Sequence, residues 1–207
     1  MSQKRFICVD GIDGGGKSSQ IQMLATRLRN EGHRVVVTRE PGGSPIAERI
    51  RAILLQRENC VLTPEQEAVL FAAARADHMA KTILPALRDQ AIVICDRFNL
   101  STRVYQGVRG VPSSFLADLE REAYGDNGPA KTVIIDIPVE VSLDRVSRRA
   151  GATDLDFFEK QRPLIGMFRK RFLAEAEASP ATIKVVDGNR DPKEVHEDIY
   201  SFFLGVE

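Results

Sequence analysis

The sequence predicts an α/β fold, a three-layer sandwich in which helices cover both faces of a five-stranded parallel sheet. Apolar, β-rich runs alternate with segments whose apolar residues recur at helical spacing, an alternation typical of parallel sheets with crossover helices. The predicted strands are residues 6–9, 35–38, 92–95, 132–137 and 182–186. A chain of 207 residues can bury a sizeable core, and we expect one domain over residues 1–207 because no repeat or linker divides it.

Helix start and stop signals lie between the predicted strands. The first helix begins at Lys17 and ends before Gly32, which is placed as a C-terminal cap. Thr63 and Gln66 form a capping-box pattern, so a helix is predicted from there to about residue 87, where Pro85 kinks or ends it. Further helices are predicted at residues 45–55, 112–124, 138–149, 168–178 and 192–204.

The composition is that of an ordinary globular protein. Lysine and arginine total 29, as do aspartate and glutamate, so the chain carries no net charge that favours nucleic acid or membranes. No apolar run approaches the ~20 residues that cross a bilayer, and a strand rather than a signal-peptide core follows the N-terminus. We therefore expect a cytoplasmic protein. Cys8, Cys60 and Cys95 are odd in number and two lie in predicted strands, so reduced thiols are expected rather than disulfides or metal ligands.

The segment between the first strand and the first helix reads GIDGGGKS at residues 11–18. The spacing G-x-x-x-x-G-K-[ST] is typical of a phosphate-binding loop, in which backbone N–H groups and the start of a helix face an anion. Lys17 would reach the terminal phosphates, and Ser18 would offer a hydroxyl to Mg²⁺. The alternative is a glycine-rich turn before a helix. The pattern predicts a P-loop NTPase-type fold whose nucleotide-binding residues are Gly11, Ile12, Asp13, Gly14, Gly15, Gly16, Lys17, Ser18 and Ser19.

Charged residues and glycines follow the second and third strands. Because ligands of open parallel sheets bind at the carboxyl ends of strands, these residues should share one crevice with the phosphate loop. Asp96 is placed like the acid that orients magnesium in P-loop enzymes, although strand-end aspartates are also common turn residues. Arg97 is costly to hold near the core unless it binds an anion, and its planar fork suits phosphate.

Two further groups of residues indicate a base pocket and a lid. Arg75 lies four residues after Phe71, so both project from one helix face. They would either form a base pocket or be unrelated, with Phe71 in the core and Arg75 a surface charge. Three arginines, at positions 145, 148 and 149, share another helix surface before a loose segment. A solvated face is the commoner outcome for such a cluster. Next to a phosphate loop that has no arginine, it predicts a lid at about residues 145–160 that neutralises phosphoryl charge.

Together these motifs resemble the thymidylate kinase family, nucleoside monophosphate kinases that phosphorylate dTMP. The resemblance rests on GIDGGGKSS at 11–19, TREPGGS at 38–44, FAAAR at 71–75, DRFNLSTRVYQG at 96–107 and DIPVEVSLDR at 136–145. Many enzymes share the phosphate loop, whereas TREPGG combined with the 96–107 block is specific to this family. The resemblance implies phosphoryl transfer from Mg-ATP to dTMP, giving dTDP and ADP, with ATP and Mg²⁺ as cofactors and a homodimeric assembly.

The resemblance also implies the acceptor site. Phe71 would stack on thymine, Arg75 would bond its O4 edge, and Ser101 and Thr102 would line the edge near N3. Arg97 would hold the acceptor's phosphate, and Asp13 would contact its sugar hydroxyl or phosphate. Tyr105 would close against the sugar, with Gln106 supporting it. The substrate set also contains Glu40 and Pro41.

On the donor side, the resemblance is to the bacterial subgroup that supplies its arginine from the lid, because Gly15 replaces a loop arginine. Arg149 matches the lid position, Arg145 would lie near the adenine, and Asn189 and Arg190 would border its pocket. The lid reads DFFE at residues 156–159, where the family usually has Asp-Arg-Phe-Glu. The catalytic residues implied are Lys17, Arg97, Arg149 and Asp13, and the metal ligands implied are Ser18 and Asp96.

Other functions share parts of this pattern. A kinase for another nucleotide or deoxynucleoside would use the same loop. A GTPase-type switch would carry an Asn-Lys-x-Asp motif, and that string does not occur in the sequence. A nucleotide-binding protein without catalysis is a third alternative, because the lid sequence departs from the family pattern.

Overall fold

A computed structural model describes residues 5–55, 62–150 and 155–205, with the backbone alone described at residues 150 and 155–162. The described residues form a five-stranded sheet in which all paired strands are parallel, in the order β2-β3-β1-β4-β5. The strands are β1 (Phe6–Asp10), β2 (Val35–Arg39), β3 (Ile92–Asp96), β4 (Lys131–Asp136) and β5 (Ile183–Asp187). The predicted parallel sheet is confirmed, and each strand lies within about one residue of its predicted bounds, as expected for assignment at strand ends.

Helices connect the strands and cover the sheet. They are α1 (Lys17–Asn30), α2 (Pro45–Leu55), α3 (Pro64–His78), α4 (Leu84–Arg88), α5 (Asn99–Val108), α6 (Ser113–Tyr124), α7 (Val139–Ala150), α8 (Leu155–Ala178) and α9 (Pro192–Leu204). The predicted capping box is present, because Gln66 N donates to Thr63 Oγ1 and Thr63 N donates to Gln66 Oε1. A π-helical turn, Met79–Ile83, joins α3 to α4. Pro85 is tolerated there because it lies at the start of α4, where its missing N–H is not required.

Two helices differ from the prediction. Helix α8 begins at Leu155 rather than near residue 168, so it includes residues that were predicted as a loose segment. Helix α5 was not predicted, because asparagine, serine and threonine are weak helix formers. Its first turn is capped from another element, since the carboxylate of Asp10 accepts a 3.1 Å hydrogen bond from Ser101 N. A cap supplied from a distant strand leaves no local signal.

Both faces of the sheet are buried, as the three-layer prediction requires. On one face, strand residues such as Val9 and Ile135 pack against α1 and α9. On the other face, Cys8 and Cys95 lie side by side in the register of β1 and β3 and pack against the α3–α4 segment. Both are free buried thiols, and burial raises their pKa values. Cys60 lies outside the described residues.

Within the parts of the chain that the structure describes, no helix is long and apolar enough to cross a membrane.

Candidate active site

The phosphate loop follows β1 at the centre of the sheet and packs against the end of β4. A Cβ atom on Gly11 would lie 2.6 Å from the carbonyl oxygen of Ile135, and the residue has a φ of +125°, so glycine is required there. Gly15 faces the same carbonyl. The start of α7 holds the loop from above, because Ser142 Oγ donates a 2.6 Å hydrogen bond to the carbonyl oxygen of Asp13. The loop is therefore supported by both neighbouring elements.

Lys17 is the first residue of α1, and its ammonium group turns back into the loop. Nζ donates hydrogen bonds to the carbonyl oxygens of Gly11, at 3.1 Å, and Ile12, at 2.9 Å. Burial lowers the pKa of Lys17 to about 8, and the nearby charge of Arg97 adds to the shift. Gly16 caps α1 in a left-handed conformation. Phosphate oxygens that enter the loop would compete for Nζ with the neutral carbonyl oxygens of Gly11 and Ile12.

The two predicted metal ligands lie in contact. Ser18 Oγ donates a 3.1 Å hydrogen bond to Asp96 Oδ2, while Asp96 Oδ1 is buried without a hydrogen-bond partner. The described residues contain no cluster of three or more His, Cys, Asp or Glu side chains that could hold a metal. One hydroxyl and one open carboxylate oxygen fit Mg²⁺, which binds few protein oxygens and takes its other ligands from phosphates and water. Ser19, next to Ser18, is exposed in the first turn of α1.

Arg97 follows β3 and lies between two aspartates. Its Nη2 donates a 2.6 Å hydrogen bond to Asp13 Oδ1, and its Nη1 lies 3.2 Å from Asp10 Oδ1 and 3.0 Å from Ser101 Oγ. The backbone at Arg97 has a φ of 69°, an uncommon value for a residue with a side chain. The side chain of Asp13 is exposed. Partial desolvation acts to raise its pKa, but the charges of Arg97, Lys17 and Arg149 together lower it.

The wall beyond Arg97 is formed by α5. The Tyr105 hydroxyl accepts a 3.3 Å hydrogen bond from Arg97 Nη1, and its ring packs against Phe168 of α8 at 4.5 Å between centroids. Gln106 is buried, and its amide nitrogen donates a 2.9 Å hydrogen bond to Glu67 Oε2. Gln106 therefore ties the wall to α3 from behind.

Arg75 is the centre of a buried polar cluster on the other side of α5. Its side chain is 2% exposed, so it is not the surface charge that the alternative interpretation allowed. Nε donates a 2.7 Å hydrogen bond to Glu40 Oε2, and Nη2 donates a 3.1 Å hydrogen bond to Thr102 Oγ1. Phe71 lies one turn earlier on α3 and is half-buried. Pro41 follows Glu40 through a cis peptide bond and is also half-buried.

The arginines of α7 have separate partners. Arg145 Nη1 donates a 3.1 Å hydrogen bond to the carbonyl oxygen of Gly14, so this side chain lies on the phosphate loop. Arg148 is exposed and pairs with Asp144 at 2.9 Å. Arg149 is exposed, and its charge acts on Asp13. Residues 156–159 are the part of the predicted lid whose sequence differs from the family pattern, and their side chains lie outside the described residues.

Asn189 and Arg190, expected at the adenine, follow β5 on an exposed turn. The backbone N–H of Asn189 donates to Asp187 Oδ1 at 2.9 Å, and Arg190 forms an ion pair with Asp198 of α9. The structure therefore places both residues at the edge of the sheet beyond β4, while acceptor residues such as Glu40 and Arg97 follow β2 and β3, on the other side of β1. The predicted donor and acceptor sides thus occupy opposite sides of the phosphate loop.

Comparison with known proteins decides the family. Residues 9–199 match the family model described as "Thymidylate kinase", and this span covers most of the chain. The chain belongs to the thymidylate kinase family. This confirms the resemblance found in the sequence motifs and the P-loop NTPase-type fold.

Relatives named thymidylate kinase cover nearly the whole chain. The protein from Symbiobacterium thermophilum is 45% identical over 196 residues, 94% of this chain and 90% of that protein. The protein from Geobacter sulfurreducens is 46% identical over 189 residues, 89% of each. The crystal structure of thymidylate kinase from Ehrlichia chaffeensis superposes with a TM-score of 0.75 at 31% identity, covering 95% of this chain and 97% of that one. The chain is thus similar to thymidylate kinases in length as well as in sequence.

Two residues of this thymidylate kinase family site were missed by sequence reasoning. Asp10 is fully buried at the end of β1 and accepts hydrogen bonds from Gly11 N, Arg97 and both Ser101 N and Oγ. The position of Asp10, directly between an apolar strand and the phosphate loop, was the sequence signal that could have identified it. His78 is fully buried and contacts Glu40 and Thr38. Its position at i+3 from Arg75 was the only local clue.

Proposed function

We propose that this protein transfers the γ-phosphoryl group of Mg-ATP to dTMP, giving dTDP and ADP for dTTP synthesis. The observation that carries the proposal is the position of Asp13 between Lys17 and Arg97, the two cations that we propose as phosphate ligands. Its Oδ1 atom lies 2.6 Å from Arg97 Nη2 and 3.9 Å from Lys17 Nζ. A donor phosphate held by Lys17 and an acceptor phosphate held by Arg97 would therefore be neighbours, as direct transfer between them requires.

The proposed mechanism uses positioning and charge rather than a covalent intermediate. Lys17 holds the terminal donor phosphates, Arg97 holds the acceptor phosphate, and Arg149 neutralises charge on the migrating group from the lid. Ser18 and Asp96 would hold Mg²⁺, which supplies further charge neutralisation on the donor phosphates when bound. Asp13 positions Arg97 and contacts the sugar or phosphate of the acceptor.

Base recognition is proposed for the cluster around Arg75. The guanidinium donates to the O4 carbonyl of thymine, Phe71 stacks on the ring, and Ser101 and Thr102 line the edge near N3. Tyr105 closes against the sugar with support from Gln106. Glu40 acts through Arg75 rather than on the base, because its two carboxylate oxygens bind Arg75 and His78. Pro41, beside it, shapes the loop that carries Glu40.

The remaining predictions extend the same proposal. Arg145, Asn189 and Arg190 border the adenine, and residues 1–207 act as one kinase domain with a lid at 145–160. We propose the cytoplasm as the location and small molecules, rather than nucleic acid or membranes, as partners. The equal counts of 29 basic and 29 acidic residues support the choice of partners.

We also propose a homodimer. Exposed apolar side chains lie on helices that pack side by side, at Ile53 of α2, Val69 of α3 and Phe115 of α6. Apolar groups that share one surface are typical of protein interfaces. A second copy of the chain is the partner that the family resemblance implies, and we assign it to this surface.

An acceptor panel tests the proposed function. ADP release would be followed by a coupled assay with ATP, Mg²⁺ and each of dTMP, dUMP, dCMP, dGMP, dAMP and thymidine. Fastest turnover with dTMP is expected. A preference for another acceptor would favour one of the alternative kinases, and ADP release that no acceptor stimulates would contradict the kinase proposal. Absence of ADP formation with every acceptor would favour the non-catalytic interpretation.

A further inference from the structure

We propose that His78 is a positioning residue for base selection, which acts through Glu40 to fix the guanidinium of Arg75. The proposal rests on the dTMP kinase activity proposed above and adds a specificity-determining residue to it. His78 lies one turn after Arg75 on α3, and its side chain is 0% exposed. Glu40 and Thr38 engage both of its ring nitrogens, so no polar atom of the ring is left to bond the base. Its effect on the acceptor must pass through the residues that it holds.

A continuous line of buried hydrogen bonds joins His78 to the base pocket. His78 Nδ1 lies 3.1 Å from Glu40 Oε1, and Glu40 Oε2 accepts a 2.7 Å hydrogen bond from Arg75 Nε. The side chains of Glu40 and Arg75 are 4% and 2% exposed. Water does not compete for these bonds, so the charge-assisted contacts hold the guanidinium plane firmly. Although burial works against it, Glu40 raises the pKa of Arg75.

The far end of the line is anchored on β2. Thr38 Oγ1 lies 2.7 Å from His78 Nε2. A carboxylate can only accept, so Nδ1 donates to Glu40, and Nε2 pairs with the Thr38 hydroxyl, so both ring nitrogens are satisfied. A Cβ atom on Gly43 would lie 2.5 Å from His78 Nε2, so only glycine allows the loop after β2 to pack this closely on the ring.

The helix is adapted to this contact. The π-helical turn Met79–Ile83 begins directly after His78, and π-helical turns inside α-helices are frequent at functional sites. Thr82, within that turn, donates a 2.6 Å hydrogen bond to the carbonyl oxygen of Gly43. Asp77 accepts a 2.6 Å hydrogen bond from Ser44. Two further hydrogen bonds thus join the loop after β2 to the helix next to the His78–Glu40 contact.

Fixing Arg75 matters because thymine and cytosine differ at C4, as well as in the N3 proton and the C5 methyl group. At C4, thymine presents a carbonyl acceptor where cytosine presents an amino donor. Arg75 has five N–H donors and no acceptor, and Glu40 and Thr102 engage Nε and Nη2. A guanidinium that cannot rotate presents N–H groups to O4 and rejects the amino group. A guanidinium that is free to rotate can move away from the amino group of cytosine, so the preference for dTMP over dCMP falls.

The test compares variants of His78 that remain close in size. An asparagine amide can occupy the place of Nδ1 and donate to Glu40, whereas a glutamine amide reaches the place of Nε2 beside Thr38. We expect His78→Leu and His78→Gln to raise the KM for dTMP about tenfold, because Glu40 loses a buried donor. The ratio of kcat/KM for dTMP over dCMP should fall about tenfold as well, with kcat changed less than about threefold. His78→Asn should restore most of both values.

Controls separate positioning from general loosening of the loop. Thr82→Val removes the bond to Gly43 on the same loop but leaves the line from His78 to Arg75 intact, so the dTMP/dCMP ratio should stay at the wild-type value. Thermal unfolding would be measured for every variant. A wild-type ratio in both His78→Gln and His78→Leu, or an equal loss in Thr82→Val, would overturn the proposal. A wild-type protein that forms no ADP with dTMP would instead refute the proposed function.

Discussion

Ser18 and Asp96 join the first turn of α1 to the end of β3 through a 3.1 Å hydrogen bond. The second carboxylate oxygen of Asp96 is buried without a partner. A buried carboxylate oxygen that lacks a donor carries a desolvation cost that a bound cation would offset. The pair therefore gives the proposed magnesium site a direct test.

Asp96→Asn should raise the Mg²⁺ concentration needed for half-maximal activity at least about tenfold, because the amide is a much weaker ligand for a hard cation. Titration of ADP formation with MgCl₂ at saturating ATP and dTMP measures this. Asp136→Asn is the matched control. Asp136 ends β4 in the same way, but Arg169 binds its two oxygens at 2.7 and 2.8 Å. An equal shift in both variants would argue against a magnesium role for Asp96.

Arg97→Lys should raise the KM for dTMP about tenfold or more, because a lysine cannot reproduce the planar fork.

Arg97→Ala should also lower the free energy of unfolding by about 3 kcal/mol near neutral pH, since it leaves the buried charge of Asp10 without its partner. Burial raises the pKa of Asp10 even though Arg97 opposes the shift. Protonation of Asp10 then removes the unpaired charge, so the loss should shrink as the pH falls. Denaturant unfolding at two pH values would show it, and a loss that grows in acid would contradict it.

Arg149→Ala should reduce kcat about a hundredfold or more while the KM values change little, since an arginine that stabilises a migrating phosphoryl group acts mainly in the transition state. Steady-state kinetics measures the two constants separately. Arg148→Ala is the control, because Arg148 pairs with Asp144 on the exposed face of α7. Equal kcat in wild type and Arg149→Ala would assign the lid charge to another residue.

The pH dependence of ATP use should reflect Lys17. Burial lowers its pKa to about 8, so the ammonium loses its proton as the pH rises through that value. A single ionisation of this kind should lower kcat/KM for ATP about tenfold between pH 7 and pH 9. Bound phosphates favour the ammonium form, so the corresponding limb of the kcat profile should lie at higher pH. Tyr105 does not interfere, because burial raises its pKa to about 12. A flat profile through this range would contradict the assignment.

The same shift predicts how stability changes with pH. The folded-state pKa of Lys17 lies below the ordinary lysine value of 10.5, so the unfolded chain binds more protons between the two values. The contribution of Lys17 therefore becomes more favourable to folding as the pH rises from about 8 toward that value. Comparing unfolding of wild type and Lys17→Met across this window isolates it.

The proposed dimer can be tested by one substitution on each face of the sheet. Val69→Glu places a charge on the apolar surface of α2, α3 and α6, and we expect the mass in solution to fall toward the 23.0 kDa of one chain. Leu204→Glu is the control, because Leu204 is 50% exposed, close to the 46% of Val69, but lies at the end of α9. Light scattering after size-exclusion chromatography distinguishes the states. A monomeric wild type would refute the dimer.

Local signals were enough for most of the fold. Each predicted strand was a short run rich in apolar and β-branched residues, and the capping box at Thr63 and Gln66 depends on residues three apart. The exceptions have physical causes: α5 receives its cap from Asp10, 91 residues away, and α8 includes Pro163, a residue that normally ends or kinks a helix. Elements stabilised by distant partners carry little signal in their own sequence.

The sequence by itself determined the phosphate loop, the parallel sheet and the family, because each depends on residues that are close along the chain. Only the tertiary structure decided which charges are paired in the interior. It buried Arg75 against Glu40, placed Arg97 between Asp10 and Asp13, and brought His78 into contact with Glu40, 38 residues away. A charged side chain can be buried only where partners offset its desolvation. The crossover connections of the sheet bring those partners together, and neither periodicity nor spacing reveals which ones will meet.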